Sequence, residues 1–119
     1  MARIMIVDDN AFMRSTIKGV LTQAGFDIAA EATDGAEAVS TYATAQPDLV
    51  TMDITMPNMD GVEALKELLK ADPGAKVVMV SAMGQESLVV EAVTAGAVDF
   101  VIKPFEPDRV VDAINKALA

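Results

Sequence analysis

The sequence predicts an α/β fold: a doubly wound, five-stranded parallel sheet with five helices. Three observations point to it. Short, branched apolar runs alternate five times with longer amphipathic runs, one unit per roughly 24 of the 119 residues. The apolar runs are nearly continuous, as in strands buried on both faces. Gly and Pro signals punctuate the units, and no unit resembles another closely enough to be a repeat.

The elements follow in order. "RIMIV" (3–7) is the first strand. In "NAFMRSTIKGVLTQAGF", Phe12, Ile17, Val20 and Leu21 fall at helical spacing and Gly25 is a C-terminal stop. "DIAAEA" (27–32) is the second strand, and "DGAEAVSTYATA" (34–45) carries Ala38, Val39 and Tyr42 on one helical stripe that Pro47 closes. "DLVTMD" (48–53) is the third strand, and "GVEALKELLKA" (61–71) the third helix, ended by "DPG" at 72–74. "KVVMVSA" (76–82), "ESLVVEAVTAG" (86–96), "DFVIKP" (99–104) and "PDRVVDAINKAL" (107–118) complete the set, with Pro107 in the first turn of the last helix. Right-handed crossovers then place helices on both faces of the sheet.

Composition narrows the chemistry. Hydrophobic residues make up 52% of the chain, enough for a core without staples. The 18 acidic and 9 basic residues give a net charge of -9 with no basic cluster, which argues against nucleic-acid binding. The absence of Cys removes disulfides, thiolate catalysis and cysteine metal sites, and suits the cytoplasm. The absence of His removes a Ser-His couple and imidazole ligands. Any metal must be a hard ion on oxygen ligands. No apolar run approaches the roughly 20 residues of a membrane span, and no signal peptide is visible.

Parallel doubly wound sheets bind ligands at the carboxyl ends of their strands. The polar residues there are Asp8 and Asp9, Asp53, Ser81 and Lys103, on strands one, three, four and five. Three carboxylates in one pocket need an answering charge. Lys103 offsets one, and a divalent cation such as Mg²⁺ offsets the rest. Asp53 is the best covalent acceptor, since carboxylates do accept phosphoryl groups. Each residue also has an ordinary reading: Asp9 or Asn10 as a helix cap, Asp53 as a loop acid, Ser81 as a strand end, Lys103-Pro104 as a turn. The convergence of all five on one edge carries the functional reading.

Four segments, "VDD" (7–9), "MDITMPNMDG" (52–61), "SAMG" (81–84) and "KPF" (103–105), match in order and spacing a known family. The chain resembles the receiver domains of two-component response regulators over its whole length. "DDNAFMR", "SAMGQ" and "DRVVDAINKAL" are similar to its stand-alone chemotaxis regulators. The resemblance implies a flavodoxin-like strand order of 2-1-3-4-5 and a single receiver domain over 1–119 with no output domain. It implies Asp53 as phosphoryl acceptor from a histidine kinase of the chemotaxis type. It also implies Mg²⁺ held by Asp8, Asp9, Asp53 and the backbone carbonyl of Thr55. Lys103 would pair with the phosphoryl oxygens, and Ser81 would move to them. Phe100 would act as the aromatic switch, reshaping the surface of helix four, strand five and helix five for a flagellar motor switch protein. Phe100 stands where many relatives carry Tyr, and Ser81 where Thr is frequent. Thr55 and Met83, at positions that tune phosphoryl loss, lack the acid or amide that positions water, so slow self-dephosphorylation is expected, with a separate phosphatase.

A cytoplasmic monomer that is not an enzyme in the turnover sense is expected, with no nucleic-acid or membrane partner. Leu88, Val89, Val90, Ala92 and Val93 give helix four more apolar surface than one buried stripe needs, so packing on the sheet and docking of a helical peptide both stay open. Met13, Met56, Met59 and Met83 near the site are adaptable contacts or core filler. A phosphorelay intermediate is the alternative role. An aspartate-nucleophile phosphatase would place D-x-D after the first strand, and no G-x-x-x-x-G-K-[ST] or G-x-G-x-x-G motif supports a nucleotide site.

Overall fold

The computed structural model describes all 119 residues. Five βα units follow one another: β1 (Arg3–Val7), α1 (Ala11–Gln23), β2 (Asp27–Ala32), α2 (Gly35–Ala45), β3 (Leu49–Asp53), α3 (Gly61–Ala71), β4 (Val77–Ser81), α4 (Glu86–Ala95), β5 (Asp99–Ile102) and α5 (Pro107–Leu118). The strands form one parallel sheet in the order β2-β1-β3-β4-β5.

The strand sequences explain the two-sided core. Successive side chains point to opposite faces. In β1, Met5 and Val7 enter one cluster, which packs against α2, α3 and α4, while Ile4 and Ile6 enter the other, against α1 and α5. β3 and β4 repeat this with Val50 and Met52 against Leu49, and Val77 and Met79 against Val78. A strand that buries both faces has no position for a polar residue, hence the continuous apolar runs. Away from the strands' carboxyl ends Thr51 is the exception: it is buried in β3, and its hydroxyl has no hydrogen-bond partner. Thr51→Val keeps the shape and removes an unpaired polar group, so it is expected to stabilise the chain by about 1 kcal/mol in urea unfolding.

Side-chain caps fix three helix starts. Asn10, Asp34 and Asp60 accept from the backbone N–H groups of Met13, Glu37 and Glu63. The cap of α1 is therefore Asn10, which leaves Asp9 free for other work. Two expectations differ from the structure. Phe12 is 78% exposed: it lies in the first turn of α1, off the stripe of Met13, Ile17 and Leu21 that meets the sheet. β5 stops at Ile102 rather than Pro104, because Pro104 has no N–H to give to a ladder; the Lys103-Pro104 bond is cis.

Only part of the apolar surface of α4 packs on the sheet. Val89 and Ala92 are buried, whereas Val90 and Val93 are 64% and 46% exposed. One stripe suffices for packing, and the remainder faces outward.

Candidate functional site

β1 pairs with β2 on one side and β3 on the other, so the chain leaves β1 and β3 in opposite directions and opens a crevice at their carboxyl ends. Asp8, Asp9 and Asp53 meet there. Carboxylate oxygens of all three lie within 4.8 Å of one another. Asp8 and Asp53 are buried and Asp9 is exposed.

Asp8 is held from several directions. Its amide donates to the carbonyl of Ala32, and its Oδ1 accepts from the amide of Asn10 at 2.8 Å. Arg14, reaching back from α1, donates from Nη1 to the Asp8 carbonyl at 2.9 Å and pairs with Glu31 through Nε. Lys103 comes from the far side of the sheet, its own amide bonded to the Ser81 carbonyl at 2.7 Å. Its Nζ lies 3.4 Å from Asp8 Oδ2 and 3.3 Å from Asp53 Oδ1. One ammonium thus faces three carboxylates.

The imbalance shows at Asp53. Burial is the largest cause raising its pKa, to about 6, and the Asp8 charge adds to it; Lys103 opposes both, and Asp9 adds a smaller push upward. A carboxyl so placed favours a second positive charge. The donors are hard oxygens, one of them open to water, as Mg²⁺ prefers. The residues present fit a divalent cation.

Ser81 closes β4 beside Asp53, whose ladder partner is Val80. The Ser81 side chain is buried, yet its hydroxyl has no partner. Such a group is costly unless a ligand or a movement satisfies it. Ser81 also lines a cavity of about 440 Å³ between α4 and β5, together with Val89, Val90, Val93, Phe100 and Ile102. Phe100 is half-buried and packs against the cluster under α4. Thr55 lies in the loop after β3, exposed, with its hydroxyl bonded to Gln85.

Asp8, Asp9, Asp53, Ser81 and Lys103 therefore lie on this edge with Thr55 in the loop beyond it, whereas Phe100 sits further back along β5, paired with Met79. Sequence reasoning missed three others. Arg14 and Gln85 lie within the segments "DDNAFMR" and "SAMGQ", but their contacts with the Asp8 carbonyl, the Ala82 amide and the Thr55 hydroxyl cannot be read from those segments. Gly61, read only as the first residue of the third helix, is a packing requirement: a Cβ there would collide with the backbone carbonyl of Asp53. The Gly61 amide donates to the Ile54 carbonyl at 2.7 Å, folding the loop back on the end of β3. Gly61→Ala should cost about 3 kcal/mol, because backbone must move to admit the methyl. Thermal unfolding checks this, and an unchanged midpoint would contradict it.

The family model described as the response regulator receiver domain matches residues 4–115. The chemotaxis protein CheY of Thermotoga maritima is 57% identical over 114 residues, covering 96% of this chain and 95% of that one. The CheY of Bacillus subtilis is 59% identical over 116 residues, covering 98% and 97%. Among solved structures, the CheX-CheY-BeF3-Mg²⁺ complex from Borrelia burgdorferi aligns with a TM-score of 0.94 at 37% identity, over 99% of this chain and 90% of that chain. The response regulator domain of Thermotoga maritima CheB aligns at 0.92 and 36% identity, over 99% and 96%.

Proposed function

The chain belongs to the response regulator receiver family, as a CheY-like member, and on that premise we propose that it is a phosphorylation-dependent chemotaxis switch. Asp53 accepts a phosphoryl group from a histidine kinase, and a single receiver domain over residues 1–119 then signals by binding another protein. The observation that carries this reading is the meeting of Asp53 with Asp8, Asp9, Lys103 and the unpartnered hydroxyl of Ser81 on one sheet edge.

In the proposed step an Asp53 carboxylate oxygen attacks the phosphorus of a phosphohistidine. The new P–O bond forms as the P–N bond breaks, and the leaving nitrogen takes a proton from water. Asp8, Asp9, Asp53 and the backbone carbonyl of Thr55 would hold Mg²⁺, which when bound supplies positive charge to carboxylates and phosphoryl oxygens alike. Lys103 offers a second donor to those oxygens and keeps Asp53 from protonating further. The chain returns to its start by hydrolysis, slowly by itself and faster with a phosphatase. It is not an enzyme acting on an outside substrate.

The switch couples the site to the α4–β5 face. The Ser81 hydroxyl turns to the phosphoryl group, and Phe100, which lines the same cavity, moves into the room released. With no phenolic hydroxyl, Phe100 acts through packing alone. Exposed Val90 and Val93 border the cavity and offer apolar contacts to a flagellar motor switch protein. Partner binding can report phosphorylation only if the two shapes bind with different affinities. Affinity for a motor switch protein is therefore expected to rise about tenfold when Mg²⁺ and beryllium fluoride are added. Equal affinity by calorimetry in both conditions would remove the switch.

A further inference from the structure

Gln85 occupies the residue before α4, where a side chain would ordinarily cap the helix, yet it makes no capping bond. Its amide is engaged elsewhere. Oε1 accepts from the backbone N–H of Ala82 at 2.6 Å, and Nε2 donates to the Thr55 hydroxyl at 2.5 Å. Ala82 directly follows Ser81, and Thr55 lies two residues beyond Asp53. One half-buried side chain therefore ties the loop after β4 to the loop after β3, beside the acidic crevice. The turn that returns Gln85 to Ala82 passes through Gly84 at φ +89°, a conformation other residues adopt only with strain.

We propose that Gln85 is a positioning residue that holds the two loops in their resting separation and opposes the movement of Ser81 toward Asp53. The inference rests on the phosphoryl-acceptor reading above. The Ser81 hydroxyl is buried without a partner, while the next N–H in the chain is taken by Gln85. A shift of Ser81 toward a group on Asp53 carries the Ala82 amide with it. Gln85 is anchored at its other end on Thr55, so the shift cannot occur without taking one bond or both away from their resting geometry. Removing the tie lowers the cost of the shifted arrangement and raises its population. A hydrogen bond of ordinary net strength corresponds to about a twofold to tenfold change in that equilibrium.

The test is the affinity for beryllium fluoride at fixed Mg²⁺, read by ¹⁹F NMR, for the parent, Gln85→Ala, Thr55→Val and the double variant. Gln85→Ala should bind about three- to tenfold more tightly. Thr55→Val removes one of the two bonds and should change affinity less, in the same direction. The double variant should match Gln85→Ala, because the two residues act through one tie. Hydrogen exchange at the Ala82 amide should quicken in Gln85→Ala. A merely structural Gln85 would lower the melting temperature and leave affinity unchanged. Affinity equal to or weaker than the parent's, or additive effects in the double variant, overturns the tie alone. Failure of the parent itself to bind beryllium fluoride overturns the phosphoryl-acceptor reading and the tie with it.

Discussion

Asp53→Asn is expected to leave the chain folded, make it more stable without metal, and end phosphoryl acceptance. The amide has no anionic oxygen to attack phosphorus, so the adduct should disappear rather than diminish. The stability gain comes from the crowded charges. Folding raises the Asp53 pKa to about 6, chiefly by burial and then by the Asp8 charge, while in the unfolded chain it sits near the ordinary value of about 3.9. The folded state thus binds the Asp53 proton more tightly than the unfolded state does. That contribution is fully present below about pH 4 and is lost as pH rises through about 6. At pH 7 the parent bears the full penalty, on the order of 1–2 kcal/mol after allowance for solvent screening. The neutral amide of the Asp53→Asn variant escapes it. Urea unfolding with chelator should show the variant ahead at pH 7 and the gap closing as pH falls from about 6 to about 4. A variant no more stable at pH 7, or a gap that ignores pH, would contradict this account of the pocket.

Lys103→Met should act in the opposite sense on stability and in the same sense on chemistry. The ammonium is the only cation within ion-pair distance of Asp8 and Asp53, at 3.4 and 3.3 Å. Met keeps much of the stem and removes the charge, leaving two buried carboxylates facing each other. Loss of a partner from a fully buried pair costs about 3–5 kcal/mol. Here the lysine is a fifth exposed and the contacts are long, so about 2 kcal/mol is expected. Phosphoryl acceptance from acetyl phosphate should slow by about a hundredfold, as for loss of one preorganised donor to developing charge. Lower stability with an unchanged rate would make Lys103 a purely structural counter-ion.

Much of the fold and the site is legible in the residues alone. Strands buried on both faces leave a continuous apolar run, and such a run ends where the sheet ends. That is why Asp8, Asp53, Ser81 and Lys103 could be placed on one edge from their neighbours alone. The starts of α2 and α3 were legible to within a residue, at 34 and 61, and the structure adds that Asp34 and Asp60 cap them. The errors have physical causes too. Phe12 shares the helical period of α1 loosely, but it lies in the first turn, off the face that meets the sheet. Lys103 and Pro104 directly follow the fifth apolar run but lie outside the strand, since a proline without an N–H cannot continue the ladder. The contacts of Gln85, Arg14 and Gly61 were illegible for a different reason, although all three residues fall within the matched segments. Their partners are loops and strand ends brought close by the crossover topology, and the tie from Gln85 to Thr55 spans residues with no shared period. Contacts of this kind leave no local pattern to read.

Whether Asp53 accepts a phosphoryl group is decided by intact-mass spectrometry after incubation with Mg²⁺ and acetyl phosphate. A single phosphoryl adduct is expected on the parent, dependent on Mg²⁺ and absent from Asp53→Asn. No adduct on the parent under conditions that trap acyl phosphates, or an adduct that persists in Asp53→Asn, would contradict it.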